Sequence, residues 1–216
     1  MRVYKLMCER WALEALKNRR LRVSLFADLN DPFELRAITV STEKHKTGIA
    51  GFGKSMHEQY AIHCFSRNWN DPLLWSHYAD KHRGLCLGFD IPDKNAIPIV
   101  YSDAFIPVDW DKQLSAEKRD PNLGLKLSTT KYVRWKYEDE IRVMGPRSAY
   151  IQDGEHSFER FGDNLHLCEV VIGVRSVCQI ETLRAAMQEE DETATIVTSQ
   201  MADDCFRIVA KEVGLK

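Results

Sequence analysis

Short apolar runs with the spacing of β-strands recur along the chain, but they do not alternate regularly with helices. The strongest run covers residues 60–66, and a second covers residues 138–144. Further strands are predicted at residues 3–6, 21–25, 85–89, 98–101, 167–174 and 193–198, and helices at residues 9–18 and 179–189. No Gly-x-Gly-x-x-Gly sequence follows a strand, so a dinucleotide-binding fold with a parallel sheet is not favoured. The pattern predicts a single α+β domain over residues 1–216, with a mixed or antiparallel sheet flanked by helices.

The size and charge of the chain exclude several classes of protein. The chain has 216 residues, enough for one domain with a sizeable core, and a formal net charge of −2. This balance favours neither a nucleic-acid coat nor a membrane-surface protein. No apolar run approaches the roughly 18 residues needed to span a bilayer, and residues 1–5 lack the apolar centre of a signal peptide, so a cytoplasmic protein without a membrane partner is expected. The six cysteines form no Cys-x-x-Cys pair and are expected to be reduced thiols.

The segment 74–89 concentrates side chains that suit neither a solvated loop nor a plain core. It contains Trp75, His77, Tyr78 and Arg83, and it is predicted to form a short helix that ends at Gly84 and is followed by a strand. Its two histidines are five residues apart, about 140° around a helix, which does not favour a metal pair. Trp75 and Tyr78 can share one helix face, either as a core anchor or as a stacking platform for a base.

Two glutamates stand two residues apart at the start of the strand predicted at residues 138–144. Alternate residues of a strand share a face, so Glu138 and Glu140 are expected to point the same way. Neighbouring carboxylates raise each other's pKa, which suits one of them to acid–base chemistry. The alternative is that either glutamate pairs with Arg142 on a solvated face.

Three polar segments are predicted to be irregular. Residues 41–57 contain Gly48, Gly51 and Gly53 and are expected to form a mobile loop or a loosely held helix. The sequence around Lys54 lacks the spacing of a phosphate-binding loop. Residues 109–126 predict a surface excursion or a helix, and residues 150–163 predict a polar loop.

Five sequence blocks together resemble the bacterial domain-of-unknown-function 2971 family. They are Tyr4-Lys5, Asn30-Asp31-Pro32-Phe33-Glu34, Cys64-Phe65-Ser66, the segment from Leu74 to Gly84 and the segment from Trp135 to Arg142. The resemblance covers most of residues 3–175, and the second and fourth blocks are specific in combination. Members of the family tend to have a tyrosine where this chain has Leu6. The family name implies no activity.

The order of the polar residues is also similar to that of ADP-ribosyltransferases. Those enzymes have a polar residue on the first strand, a central serine or tyrosine, and a late glutamate that often belongs to a Glu-x-Glu sequence. The matching positions here are Tyr4 or Lys5, then Ser66 or Tyr78, then Glu138 and Glu140. Tyr4-Lys5 stands where the superfamily has an arginine or a histidine. The resemblance implies a split sheet that binds NAD without a Gly-x-Gly-x-x-Gly sequence.

This second resemblance implies NAD as the substrate and transfer of ADP-ribose to an acceptor, which is a protein or a nucleic acid. Glu140 is then expected to stabilise the oxocarbenium-like state, and Glu138 is expected to orient the acceptor. Contacts with NAD are expected from the first strand and from the central segments: Tyr4, Lys5, Ser66, Trp75, His77, Tyr78 and Arg83.

Two other functions fit the same residues. A metal-dependent nuclease or phosphodiesterase can hold Mg²⁺ with Asp31, Glu34, Glu138 and Glu140, with Lys5 or His77 near the scissile phosphate. A non-catalytic module can bind a nucleotide or a peptide through residues 75–78 without turning it over. Either enzymatic activity fits a defence or toxin-like role, which no residue establishes. The role of the turn at Asn30 and Asp31 is left open.

Overall fold

The computed structural model describes residues 1–113 and 120–211. The strands are β1 (Arg2–Met7), β2 (Arg20–Val23), β3 (Tyr60–Ser66), β4 (Leu85–Asp90), β5 (Ile97–Pro98), β6 (Val100–Ser102), β7 (Thr130–Tyr132), β8 (Glu140–Pro146), β9 (Ile151–Asp153), β10 (His156–Arg160), β11 (His166–Ile172), β12 (Thr195–Met201) and β13 (Ile208–Ala210). The α-helices are α1 (Glu9–Asn18), α2 (Glu43–Gln59), α3 (Pro72–Tyr78), α4 (Trp110–Gln113), α5 (Leu123–Thr129) and α6 (Ile180–Ala186). Short 3₁₀ helices cover Phe26–Asp28, Asp93–Asn95, Val133–Glu138, Arg147–Ala149 and Glu189–Asp191.

A mixed sheet of eight strands organises the described part of the chain. Its order is β13-β12-β11-β4-β1-β3-β8-β5. The β11–β12 pair is parallel, and the other neighbours in this sheet run antiparallel. Smaller sheets are formed by β2, β10 and β9 and by β6 and β7. The predicted α+β class with a mixed sheet flanked by helices is therefore confirmed.

The large sheet opens between its two central strands. β1 pairs with β4 at six positions, but it pairs with β3 at a single position, Tyr4 opposite Ser66. Beyond that pair the Lys5 ammonium group reaches across the gap and donates to the Cys64 carbonyl oxygen at 2.9 Å. On the other side of the gap β3 exchanges backbone hydrogen bonds with Ser24, the residue after β2. The separation of β1 from β3 leaves room for a cleft inside the sheet.

Both faces of the sheet are covered, which explains the continuous apolar sequence of β4. Leu85, Leu87 and Phe89 point into the core beneath α1 and α6, whereas Cys86 joins the smaller core of Trp75 and the other residues beneath α3. A strand that is buried on both faces has apolar residues at successive positions, and its sequence does not alternate between polar and apolar residues. Among the described residues no helix is long and apolar enough to cross a membrane.

The sequence predicted several elements closely and missed others. Helix α1 and strand β3 have the predicted bounds, and residues 43–59 form the helix α2, in which no residue is buried. The predicted loop at residues 150–163 is wrong, because β9 and β10 form a hairpin there with Gly154 in the turn at φ +60°. In the predicted excursion at residues 109–126, α4 and part of α5 are present, and residues 114–119 lie outside the described residues.

Candidate functional site

A cleft of about 240 Å³ lies where β1 and β3 separate. Residues from five parts of the chain line it: Tyr4, Lys5, Leu6, Ser24, Asp28, Leu29, Asn30, Glu34, Cys64, Phe65, Ser66, Leu74, Tyr78, Lys131, Glu138, Glu140 and Arg142. Six of these were predicted site residues, namely Tyr4, Lys5, Ser66, Tyr78, Glu138 and Glu140. The fold therefore brings the first strand, the central serine and tyrosine, and both glutamates to one cavity.

A buried cluster of charges forms one wall of the cleft. The Lys131 ammonium group donates to Glu138 and also to Glu140, the latter at 3.1 Å. The Arg142 guanidinium group donates from Nε to Glu140 at 2.7 Å and from both terminal nitrogens to Glu34. All four of the side chains Lys131, Glu138, Glu140 and Arg142 are at most 5% exposed. Two cations thus hold three carboxylates away from water, and this requires the close pairing that the structure has.

The two glutamates meet by a different route from the one predicted. Glu138 ends the 3₁₀ helix Val133–Glu138, and Asp139 takes the left-handed conformation with φ 42° before β8 begins at Glu140. The expectation that strand alternation puts both glutamates on one face is therefore corrected. Their carboxylates converge because the left-handed residue redirects the chain between them and because Lys131 binds both. The pairing of Glu140 with Arg142 does occur, but it is buried and not on a solvated face.

The surroundings push the pKa values of the two glutamates apart. Burial alone raises the pKa of Glu140, but the charges of Arg142 and Lys131 outweigh it and lower this pKa to about 2. Burial raises the pKa of Glu138 above its usual value, and its contacts with Lys131 and Tyr78 only partly offset this. At neutral pH Glu140 is therefore a fixed anion, while Glu138 is the carboxylate better able to exchange a proton.

Tyr78 connects Glu138 to the turn that follows β2. Its hydroxyl group donates to the Glu138 carboxylate and accepts from the Asn30 side-chain amide at 3.0 Å. Burial, followed by the nearby charge of Glu138, raises the pKa of Tyr78, so its proton stays on the phenol. This is the role of Asn30 that the sequence left open. The neighbouring Asp31 is buried and accepts from the backbone N–H of Phe33, so it stabilises the turn.

The opposite wall is supplied by β1 and the end of β3. The Lys5 ammonium group has no carboxylate within 4 Å among the described residues, and its hydrogen-bond acceptor there is the Cys64 carbonyl. Since an ammonium group has three N–H donors, two remain for a ligand. Burial raises the pKa of Tyr4 to about 12. The buried Ser66 hydroxyl group accepts from the backbone N–H of Asn68, and this fixes the chain where it leaves β3.

Three residues that were expected to contact NAD lie outside the cleft. Trp75 is fully buried and donates from its indole nitrogen to the Trp69 carbonyl at 2.6 Å, so it is a core anchor and cannot stack on a ligand. His77 is exposed and stacks on Tyr137, with ring centroids 6.0 Å apart. Arg83 is exposed and pairs with Asp80. The aromatic–histidine segment therefore contributes Tyr78 to the cleft, but not its other polar side chains.

Sequence reasoning missed Lys131. The residue lies in the three-residue strand β7, whose sequence has no unusual pattern, and it is buried only because segments distant in sequence pack around it. Glu34 was noted only as a member of a motif and as a possible metal ligand. Its partner Arg142 is 108 residues away in the chain, so no local signal linked the two.

The acidic side chains of the cleft are already paired with cations. Glu138 and Glu140 bind Lys131, and Glu34 binds Arg142. Within residues 1–113 and 120–211, no group of three or more His, Cys, Asp or Glu side chains has a geometry that could hold a metal ion. The metal-dependent nuclease reading stays a prediction, and these ion pairs are what a metal ion would have to displace.

Comparison with known proteins gave no relative. No protein-family model, no curated protein and no solved structure matches the chain. The geometry of the cleft is therefore the basis for any statement about function.

Proposed function

We propose that the protein cleaves the bond between nicotinamide and ribose in NAD and transfers the ADP-ribose group to an acceptor. The observation that carries the proposal is the cleft between β1 and β3, which gathers Lys5, Ser66, Tyr78, Glu138 and Glu140 around one space. A sheet that opens at its centre offers a nucleotide a cavity within the fold, which needs no Gly-x-Gly-x-x-Gly turn.

Cleavage of the bond between nicotinamide and ribose requires a fixed negative charge near the ribose. When the C1′–N bond breaks, its electron pair goes to the nicotinamide nitrogen, which loses its positive charge, and positive charge develops on the ribose. A carboxylate that is ionised before the reaction begins stabilises that charge without reorganising. Glu140 meets this requirement, because the cations of Arg142 and Lys131 keep its pKa low. Lys131 and Arg142 also fix its orientation through both carboxylate oxygens.

The second half of the reaction asks for a proton acceptor. The acceptor nucleophile forms a bond to C1′ and gives up a proton, which Glu138 can take. Its raised pKa makes it a better base than Glu140 for this step, and Tyr78 holds one of its oxygens in place. Lys5, with two free donors, is suited to the phosphates of the nucleotide. Ser66 and Tyr4 complete the wall at the single pairing position of β1 and β3.

The release of nicotinamide from NAD tests the proposal. Purified protein is incubated with NAD labelled in the adenosine half and with cell extract, with and without EDTA, and both released nicotinamide and transferred label are measured. Release and transfer that survive EDTA are expected. Activity that EDTA abolishes favours a metal-dependent enzyme, and binding of NAD without any turnover favours a non-catalytic module.

Two substitutions make the test specific to the site. Glu140→Gln keeps the size and planar shape of the side chain but removes the charge and replaces one accepting oxygen by an NH2 donor, and it is expected to lower nicotinamide release by at least about 100-fold. The matched control is Asp139→Asn, which removes a charge between the two glutamates at a residue that is 47% exposed and does not line the cleft. Asparagine tolerates the left-handed conformation of this position. If folded Glu140→Gln protein releases nicotinamide as fast as Asp139→Asn protein, the proposal is wrong.

A further inference from the structure

A second cavity lies beside the cleft, and the two spaces share three lining residues. This cavity, of about 440 Å³, lies under α1, and Lys5, Ser24 and Asp28 line both spaces. Its other lining residues come from β1, α1, β2 and β10 and include Trp11, Glu14, Arg22 and His156. Neither sequence reasoning nor the proposed reaction gives this cavity a role. The volumes of the two spaces together fall within the range of roughly 300–1,000 Å³ that is usual for small-molecule pockets.

The chemistry of the second cavity differs from that of the first. Trp11 lines it although the side chain is 49% exposed and belongs to no core cluster, and His156 is also exposed. The Arg10 guanidinium carbon lies 4.7 Å from the centroid of the Trp11 ring. An exposed indole ring that contacts a cation on one face and fills no core is suited to stacking a planar base on its other face. The acidic residues of the cavity are engaged elsewhere, since Glu14 accepts from Arg20 and Asp28 accepts from the backbone N–H of Leu25.

Positive charge lies between the two cavities. Lys5 lines both, and toward the described residues it uses one N–H donor, on the Cys64 carbonyl, and leaves two for a ligand. Arg22 in the second cavity is 49% exposed and is 3.8 Å from its nearest acidic partner, Asp28. The surface is aromatic in the second cavity, cationic at the boundary that the two cavities share, and acidic in the cleft. A ligand with an aromatic ring at each end and phosphates in the middle matches this order.

We infer that the second cavity binds the adenosine end of the dinucleotide, with the base on Trp11 and the phosphates at Lys5. This inference rests on the proposed function, because that function places the nicotinamide ribose in the first cavity. The adenosine half then lies on the far side of Lys5, one of the three residues that line both spaces. Trp11 acts in binding and takes no part in the chemical step.

The halves of the dinucleotide allow a direct test by calorimetry. ADP and nicotinamide mononucleotide are titrated separately into the wild-type protein, Trp11→Ala and the control Phe206→Ala, whose exposed ring lies outside both cavities. Trp11→Ala is expected to raise the Kd of ADP about tenfold and to change that of nicotinamide mononucleotide by less than about twofold. Phe206→Ala is expected to change neither. Lys5→Met, checked for folding by its melting temperature, is expected to weaken both ligands, since each carries phosphate.

Kinetics separate this inference from the proposed function. With NAD as substrate, Trp11→Ala is expected to raise KM about tenfold and to keep kcat, because the stacking contact is equal in the ground and transition states. An unchanged Kd for ADP, or an equal loss for nicotinamide mononucleotide, overturns the inference even if NAD is turned over. If the wild-type protein binds ADP through Trp11 but releases no nicotinamide, the adenosine site stands and the proposed function fails.

Discussion

Replacing Lys131 by methionine tests whether the buried charge cluster depends on this residue. In the folded protein, Lys131 and Arg142 are two cations that face three carboxylates, those of Glu34, Glu138 and Glu140, so the cluster carries one excess negative charge. Methionine fills nearly the same volume but leaves two excess negative charges in a buried place. Removal of one partner from a buried ion pair costs about 3–5 kcal/mol of unfolding free energy.

The size and the pH dependence of this loss can both be measured by urea unfolding. Without Lys131, Glu138 loses the contact that lowers its pKa, so this pKa rises further above the value in the unfolded chain. A carboxyl group whose pKa is raised by folding binds a proton more tightly in the native state than in the unfolded chain. Its unfavourable contribution to the unfolding free energy therefore appears as the pH rises from the pKa of the unfolded chain to the higher pKa of the folded protein. The unfolding free energy that Lys131→Met loses relative to the wild-type protein is therefore expected to be small near pH 4.5 and to grow toward neutral pH.

A control variant and a second substitution identify the cause. Lys126→Met removes a lysine that is 54% exposed and pairs with Asp120 at the surface, so a loss of less than about 1 kcal/mol is expected. Adding Glu138→Gln to Lys131→Met removes one of the buried negative charges that the loss of Lys131 leaves in excess. The double variant should therefore regain at least about 1 kcal/mol of unfolding free energy. If Lys131→Met loses no more stability than Lys126→Met, or if Glu138→Gln restores nothing, the reasoning is refuted.

Other predictions concern acid unfolding, two glycines and two cysteines. Folding lowers the pKa of Glu140 from 4.5 to about 2, so the stabilisation that its charge provides is complete above pH 4.5 and is lost toward pH 2. Between pH 4.5 and pH 2 the wild-type protein should therefore lose about 3 kcal/mol more unfolding free energy than Glu140→Gln, as measured by urea titration. Gly84→Ala should unfold at markedly lower temperature, since a Cβ atom would lie 2.1 Å from the carbonyl oxygen that ends β1, whereas Gly51→Ala in the open helix α2 should gain about 0.5–1 kcal/mol. Iodoacetamide should modify the exposed Cys205 before Cys64, whose pKa is raised by burial; rapid labelling of Cys64 in folded protein would contradict the fold.

The parts of the fold that sequence could predict are those set by local pattern. Helix α1 buries Ala12, Ala15 and Leu16 on one face and has a basic residue in its last turn, and β3 is a compact apolar run, so both were found with the right bounds. The hairpin of β9 and β10 was missed because its residues are mostly exposed and polar, and only pairing with β2 makes them strands. These segments are strands because they pair with strands elsewhere in the fold, and the local sequence pattern does not predict such pairing.

The site was predictable in its residues but not in its arrangement. The sequence named the two glutamates through their spacing, Tyr78 through the concentration of aromatic and polar residues in its segment, and Lys5 through the resemblance to ADP-ribosyltransferases. It could not reveal Lys131, because a lysine in a short strand is ordinary until distant segments bury it. It also overvalued Trp75, whose indole group donates to a backbone carbonyl and fills the core beneath α3.

The burial of the cluster links stability and the proposed reaction in one set of contacts. Glu140 keeps its charge because Lys131 and Arg142 face it, and those same cations are themselves buried only because Glu34, Glu138 and Glu140 pair with them. A substitution that removes any of these charges will therefore change the unfolding free energy as well as the proposed activity. Glu138 differs from the rest, since its raised pKa and its bond to Tyr78 let it exchange a proton without breaking the pairs around Arg142. The two glutamates thus have separate roles: Glu140 supplies a constant charge, and Glu138 is the residue whose protonation state can change during a reaction.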